Sequence, residues 1–349
     1  MSKSLRLRAL CLVLCAALTA CAPAGPTAEP TGPETRVRDN LMNTVVTLSL
    51  YDHASDGLFA ALFDRIAAIE DGMSVHRAGS GISRLNAGAG ADSVPLPSEV
   101  RALLREALDI AALSKGAFDP TVGALTALWA IGTPEARVPA QSELDAALPL
   151  VDCAALTVDE AAGSARLSRP GMRVDLGGIA KGYAGDETLR LAREAGVEHA
   201  IFNLGGNIVV MGGNPDGTPW RIGVRTPLPG GEGYMGVLEL SDGAVVTSGS
   251  YERYLEQDGA RYHHILDPKT GYPADSGLLS VTVVYGNSAR ADGLSTACFV
   301  LGLEEGLALL TDIPGAEGVF VAADSRVFTT PGLSGLFRLT DPAYTLVTP

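Results

Sequence analysis

Three short segments gather acidic, basic, hydroxyl and imidazole side chains beside glycine-rich turns or on one helix face. The stretch Val174–Tyr183 reads VDLGGIAKGY: two glycines after a strand-like VDL, opening into a helix. Such a turn lets backbone approach a ligand closely and offers free N–H groups at a helix start. Asp175 adds an acceptor and Lys181 a cation. By itself the pattern could also be an ordinary strand–turn–helix corner with a solvent lysine. Tyr262–Gly271 (YHHILDPKTG) sets His263 and His264, two of five histidines, just before an Asp-Pro turn. Imidazole is the side chain that changes charge nearest neutral pH. Ala289–Cys298 (ARADGLSTAC) puts Asp292 and Thr296 four apart on a predicted helix, so both oxygens face one side. A carboxylate with a hydroxyl or a carbonyl, all oxygen, suits hard Mg²⁺ in a partly hydrated shell. The same pair could be a helix N-cap and a threonine bonding back into its own helix.

Together with Thr247–Tyr254 (TSGSYERY), these segments follow one another in an order that resembles the signature blocks of the ApbE family. Earlier stretches fit as well: LMNTVVTLSLY from Leu41, MSVHRAGSGISRLN from Met73, GAFDPTVGALTALW from Gly116 and FNLGGNIVVMGG from Phe202. Each block is weak alone. Eight in order, from about Leu41 to Leu301, make the resemblance specific.

The resemblance implies an exported, lipid-anchored, Mg²⁺-dependent FAD:protein FMN transferase that takes FAD as its substrate. It would move the FMN moiety to a Ser or Thr hydroxyl of an acceptor flavoprotein, in a segment of a membrane redox complex, and release AMP. Two other uses of the same blocks are a Mg²⁺-dependent FAD pyrophosphatase and a non-enzymatic extracytoplasmic flavin-binding lipoprotein. The family pattern implies Mg²⁺ on the Gly178 carbonyl, Asp292 and Thr296, with Ser295 adjacent in the motif. FAD contacts fall at Met42, His76, Phe118, Asp119, Asp175, Lys181 and Leu266. His264 matches a histidine able to serve as general base, with Asp292 the second catalytic residue. Two positions depart from the pattern. Asn43 stands where the family often has glycine, which forgoes that residue's close backbone approach, and His76 stands where it often has tyrosine.

The folded part of the chain is expected to begin after an export signal. Lys3, Arg6 and Arg8 precede a short apolar run from Ala9 to Leu18, too short to span a bilayer. The run ends in Leu18-Thr19-Ala20-Cys21, a bacterial lipobox, so Cys21 is the expected lipidation site. The reading is a signal peptide over 1–20, lipidated Cys21 and a Pro-rich flexible tether over 21–38, and one domain over 39–349. The protein would sit in the cell envelope, anchored to a bacterial membrane and facing the periplasm or the outside. The formal charge of −14 falls by the three cations of residues 1–20, to about −17, which argues against nucleic acid or anionic lipid as partners. An anionic ligand would then need a metal or placed cations. Cys153 and Cys298, in apolar surroundings, are most simply buried, with a disulfide left open.

Periodicity predicts strands at 44–51, 200–210, 221–226, 236–240, 244–247, 279–285, 319–322 and 327–329. It predicts helices at 58–70, from an N-cap at Ser98 to Gly116, and at 180–195, 290–301 and 304–311. Strands joined by tight turns, with segregated helices, make a mixed α+β fold of mainly antiparallel sheets. No GxGxxG follows a strand, so a Rossmann site is not expected.

Overall fold

The computed structural model describes residues 32–228 and 233–347. The expected signal peptide, Cys21 and the first part of the tether lie outside the described residues. In chain order the strands are β1 (Glu34–Leu41), β2 (Thr44–Leu50), β3 (Val94–Pro95), β4 (Leu156–Asp159), β5 (Ser164–Leu167), β6 (Ala200–Leu204), β7 (Asn207–Met211), β8 (Trp220–Arg225), β9 (Tyr234–Leu240), β10 (Gly243–Gly249), β11 (Tyr254–Gln257), β12 (Ala260–His263), β13 (Leu278–Tyr285), β14 (Glu317–Ala322), β15 (Arg326–Thr329), β16 (Phe337–Leu339) and β17 (Thr345–Val347). The helices are α1 (Asp56–Met73), α2 (Gly81–Ala87), α3 (Ser98–Leu113), α4 (Gly123–Trp129), α5 (Gln141–Ala147), α6 (Ala180–Glu194), α7 (Ser288–Leu301) and α8 (Leu303–Thr311).

Nine strands form the main sheet in the order β1-β2-β6-β7-β10-β13-β14-β15-β17. All its pairings are antiparallel except β15 with β17. Successive side chains in a strand point to opposite faces, so each strand feeds two cores. Val209, Ala244, Val246 and Phe320 pack with the helices, including Ile66 of α1 and Phe299 of α7. Their neighbours Val210, Val245, Val319 and Val321 pack instead with Trp220, Ile222 and Leu238 of a three-stranded sheet, β16-β9-β8. Both faces of the main sheet are covered, and the fold is mixed α+β without a doubly wound core. No helix among the described residues is long and apolar enough to cross a membrane.

Four expectations are corrected. Residues 34–38, read as tether, belong to β1, whose first seven residues are all exposed because it is the sheet's edge. The single strand expected over 200–210 is the hairpin β6–β7, turned by Gly205 and Gly206 with φ of 65° and 90°. Ser98 is the first helical residue of α3, and Pro97 occupies the cap position without a side-chain bond. Cys153, expected to be buried, is only half-buried, while Cys298 is buried as expected and both are free thiols.

Helices α6 and α7 make the approach that matters most for the site. A Cβ on Gly182 would collide with the Ser288 carbonyl and stand 2.6 Å from the Ala289 Cα. Alanine should favour the helix over glycine by ~0.5–1 kcal/mol, but backbone cannot yield as a side chain does. Overpacking costs ~1–3 kcal/mol, so Gly182→Ala should lower the urea midpoint. A midpoint equal to or above wild type would show that the two helices can separate freely.

Candidate active site

The ends of these elements converge on one cavity of about 1020 Å³. Into it come the β1–β2 turn, the loop after α1, the start of α6, the β6–β7 turn, the end of β10 and one side of α7. Of the residues expected to act, Met42, His76, Phe118, Asp119, Asp175, Gly178, Lys181, His264, Leu266, Asp292 and Thr296 all line it. Ser295 does not. It is fully buried, its Oγ donates to the Asp292 carbonyl at 2.9 Å, and it meets Ser248 Oγ at 2.8 Å. Ser295 therefore belongs behind the cavity wall, because its hydroxyl is already committed there. Cys21 lies outside the described residues.

Asp292 is 3 % exposed. Its Oδ2 accepts the Gly182 N–H at 3.0 Å, capping the first turn of α6, where a carboxylate also favours the helix dipole. Its Oδ1 lies 3.5 Å from Lys181 Nζ. In return Asp186 of α6 accepts from Ser288 and Ala289 at the start of α7, at 2.8 and 2.9 Å. The two helices thus hold each other by carboxylates at their N-termini. A Cβ on Gly178 would stand 3.4 Å from Thr296 Oγ1 and 3.2 Å from the Phe118 ring. A carboxylate, a hydroxyl and a glycine turn lining one cavity, all offering oxygen, fit a hard divalent cation.

Asp175 and Asp119 are builders. Asp175 Oδ1 accepts from Gly177 N at 2.8 Å and Oδ2 from Thr126 Oγ1 at 2.9 Å, which shapes the glycine turn. Asp119 accepts from Thr121 N, Thr121 Oγ1 and Cys153 N, so its carboxylate is already satisfied by protein.

His264 follows β12, and its Nδ1 lies 3.2 Å from the Arg253 carbonyl. A carbonyl only accepts, so Nδ1 carries the proton and the neutral ring leaves Nε2 as an acceptor. Burial, then Arg253, Lys181 and His263, push its pKa down to about 3, against the backbone bond to Arg253. The ring is nevertheless half-buried by surface, because one side opens onto the cavity. His263 faces away: its Nε2 meets the Ala274 carbonyl at 3.0 Å and its ring packs edge-on against Phe299.

A profile of the ApbE family matches residues 42–320. The chain belongs to the ApbE family. A Treponema pallidum (strain Nichols) protein named FAD:protein FMN transferase is 38% identical over 288 residues, covering 78% of this chain and 79% of that one. One of the same name from Klebsiella pneumoniae (strain 342) is 36% identical over 307 residues, covering 88% and 95%. Among solved structures, the ApbE protein of Thermotoga maritima superposes with a TM-score of 0.80 at 32% identity, covering 88% of this chain and 99% of that one. The flavin transferase ApbE from Vibrio cholerae gives 0.77 at 29%, covering 87% and 99%.

In this ApbE-family chain the positive charge that an anionic ligand needs comes from Arg173, Lys181, Arg225 and Arg253, which all line the cavity. Only Lys181 was singled out by sequence. Arg253 also donates to the Asn43 carbonyl at 3.1 Å, tying the β1–β2 turn to the rim. That turn has φ of 54° at Met42 and 56° at Asn43, so Asn43 supplies the left-handed conformation in place of glycine. Glu252 faces the same space, and burial raises its carboxyl above the usual range against the pull of Lys181, Arg253 and Arg225, with Asp292 adding to the rise. The charged pair Glu252-Arg253 in TSGSYERY was the available signal.

Proposed function

We propose that this chain transfers the FMN moiety of FAD to a Ser or Thr hydroxyl of an acceptor flavoprotein, releasing AMP, with Mg²⁺ on Asp292, Thr296 and the Gly178 carbonyl. The reading rests on one observation: these oxygens and the open Nε2 of a neutral His264 share a single cavity. Bound there, Mg²⁺ would neutralise charge on the pyrophosphate oxygens as AMP leaves. Arg173, Lys181, Arg225 and Arg253 offset the acidic field that would otherwise repel FAD. Phe118 and Leu266 present apolar surface, and His76, exposed on its loop at the cavity, would stack on a ring in this reading. His264 Nε2 takes the hydroxyl proton as the acceptor oxygen bonds to the FMN phosphorus and the bond to AMP breaks. The acceptor belongs to a membrane redox complex in this reading.

The test is incubation with FAD and Mg²⁺, with and without a candidate flavoprotein subunit, followed by in-gel flavin fluorescence and AMP detection. A fluorescent acceptor band with AMP is the expected result. AMP without a labelled acceptor would favour hydrolysis, and FAD bound intact would make the protein a carrier.

The same proposal includes export and anchoring through Cys21. Cys21→Ala should leave soluble or unprocessed protein on membrane fractionation, while purified 22–349 remains active. A fragment that folds only with the lipid would contradict a mere tether.

A further inference from the structure

Ser248 lies on β10, buried, where that strand passes α7. Its Oγ is 2.8 Å from Ser295 Oγ and 3.3 Å from Thr296 Oγ1, and Ser295 Oγ donates to the Asp292 carbonyl at 2.9 Å. These contacts make a line of hydroxyls, and its last member sets its direction. A carbonyl only accepts, so Ser295 commits its single proton to Asp292. Toward Ser248 it can then only accept. Ser248 gives its proton to Ser295, and toward Thr296 it too can only accept. The Thr296 proton therefore points at Ser248, into the wall, and its lone pairs are left for the cavity side, where Gly178 and Asp292 stand.

We infer that Ser248 is a positioning residue: by taking the Thr296 proton it holds Thr296 Oγ1 as an acceptor toward the proposed cation site. The inference rests on the Mg²⁺ reading above. A hydroxyl whose proton faces the cavity would repel a cation there, so the direction of the line matters as much as the presence of Thr296. Partners behind the ligands of a metal commonly set its affinity in this way, and their loss costs ~10–100-fold. Ser248 also explains why Ser295 is a serine although it reaches no ligand: it is the group that fixes which way Ser248 points.

The test is Mn²⁺ binding, by titration with electron paramagnetic resonance detection, to the purified mature protein and its variants. Ser248→Ala should raise the Mn²⁺ Kd by ~10–100-fold while FAD affinity measured in EDTA stays unchanged, since general damage to the cavity would weaken both. Ser248→Thr, which keeps the hydroxyl, should restore most of the Mn²⁺ affinity. Ser295→Ala frees the Ser248 proton to point at Thr296, so it should weaken Mn²⁺ in the same direction without removing any cavity group. It also serves if Ser248→Ala fails to fold. Asp292→Asn is the reference that tests the metal reading itself. If it abolishes Mn²⁺ binding while Ser248→Ala and Ser295→Ala bind as wild type, the relay is wrong and the metal site stands. If wild type binds no Mn²⁺, or Asp292→Asn binds it normally, the metal reading fails and this inference with it.

Discussion

Asp292→Ala is expected to lower turnover by ~10³-fold or more, while FAD affinity falls far less. Asp292 supplies the one negative charge among the three proposed ligands. Charge stabilisation by a bound metal is commonly several kcal/mol, at about 1.4 kcal/mol for each factor of ten. That charge counts most when negative charge builds on the departing phosphate, so its loss acts on kcat more than on binding. Asp292 also caps α6 through the Gly182 N–H and faces Lys181. Alanine removes both contacts, and a lost cap costs ~0.5–2 kcal/mol. Asparagine separates the two roles, because it keeps an oxygen for the Gly182 cap while losing the charge and the oxygen that faces Lys181. Asp292→Asn should therefore unfold in urea near the wild-type midpoint and yet be almost as slow as Asp292→Ala. Normal turnover of the asparagine variant in Mg²⁺ would place the chemistry elsewhere.

The segments that meet in the cavity were legible because each puts unusual residues at a turn or on one helix face. The Gly177-Gly178 corner, the Asp-Pro turn after His264 and the Asp292–Thr296 face of α7 can all be seen in one dimension. What was missed depends on neighbours. The first seven residues of β1 show no apolar alternation because an edge strand exposed on both faces has no core side to mark. The ribbon β11–β12 stands apart from the other sheets and is largely exposed, so it too leaves little pattern, although it carries the chain from Arg253 to His264. Gly205-Gly206 was an available hairpin signal, hidden by the apolar run on either side of it. Ser295 was placed by adjacency to Thr296, but one residue is about 100° around a helix. That rotation turns Ser295 from the cavity to β10, where Ser248 waits. Only packing could decide between the two faces, just as only packing brings Arg173, Arg225 and Glu252 from separate strands and loops to one cavity.

His264→Ala is expected to slow transfer by ~10²–10⁴-fold, the usual range for a general base, with little change in FAD affinity. The ring's surroundings alter the pH dependence that a free imidazole would give. An unperturbed histidine titrates near pH 6.5, and a base of that kind would impose an acidic limb there. Burial, with Arg253 and Lys181 nearby, lowers His264 to about 3, so it stays neutral and competent well below pH 6. Transfer by wild type at saturating FAD and Mg²⁺ should then show no His264 limb between pH 5 and 7. The stability sign follows the same displacement. As pH falls from about 6.5 toward 3 the unfolded chain binds this proton before the folded one does, so folding weakens across that window. His263→Ala should behave differently, costing stability through the lost contact with Phe299 and the Ala274 carbonyl while leaving the chemical step near wild type. Because His264 borders an open cavity, added imidazole should restore part of the rate to His264→Ala but none to Asp292→Asn. A His264→Ala enzyme that transfers at the wild-type rate, with no response to imidazole, would remove His264 from the mechanism and leave the acceptor hydroxyl to lose its proton to water.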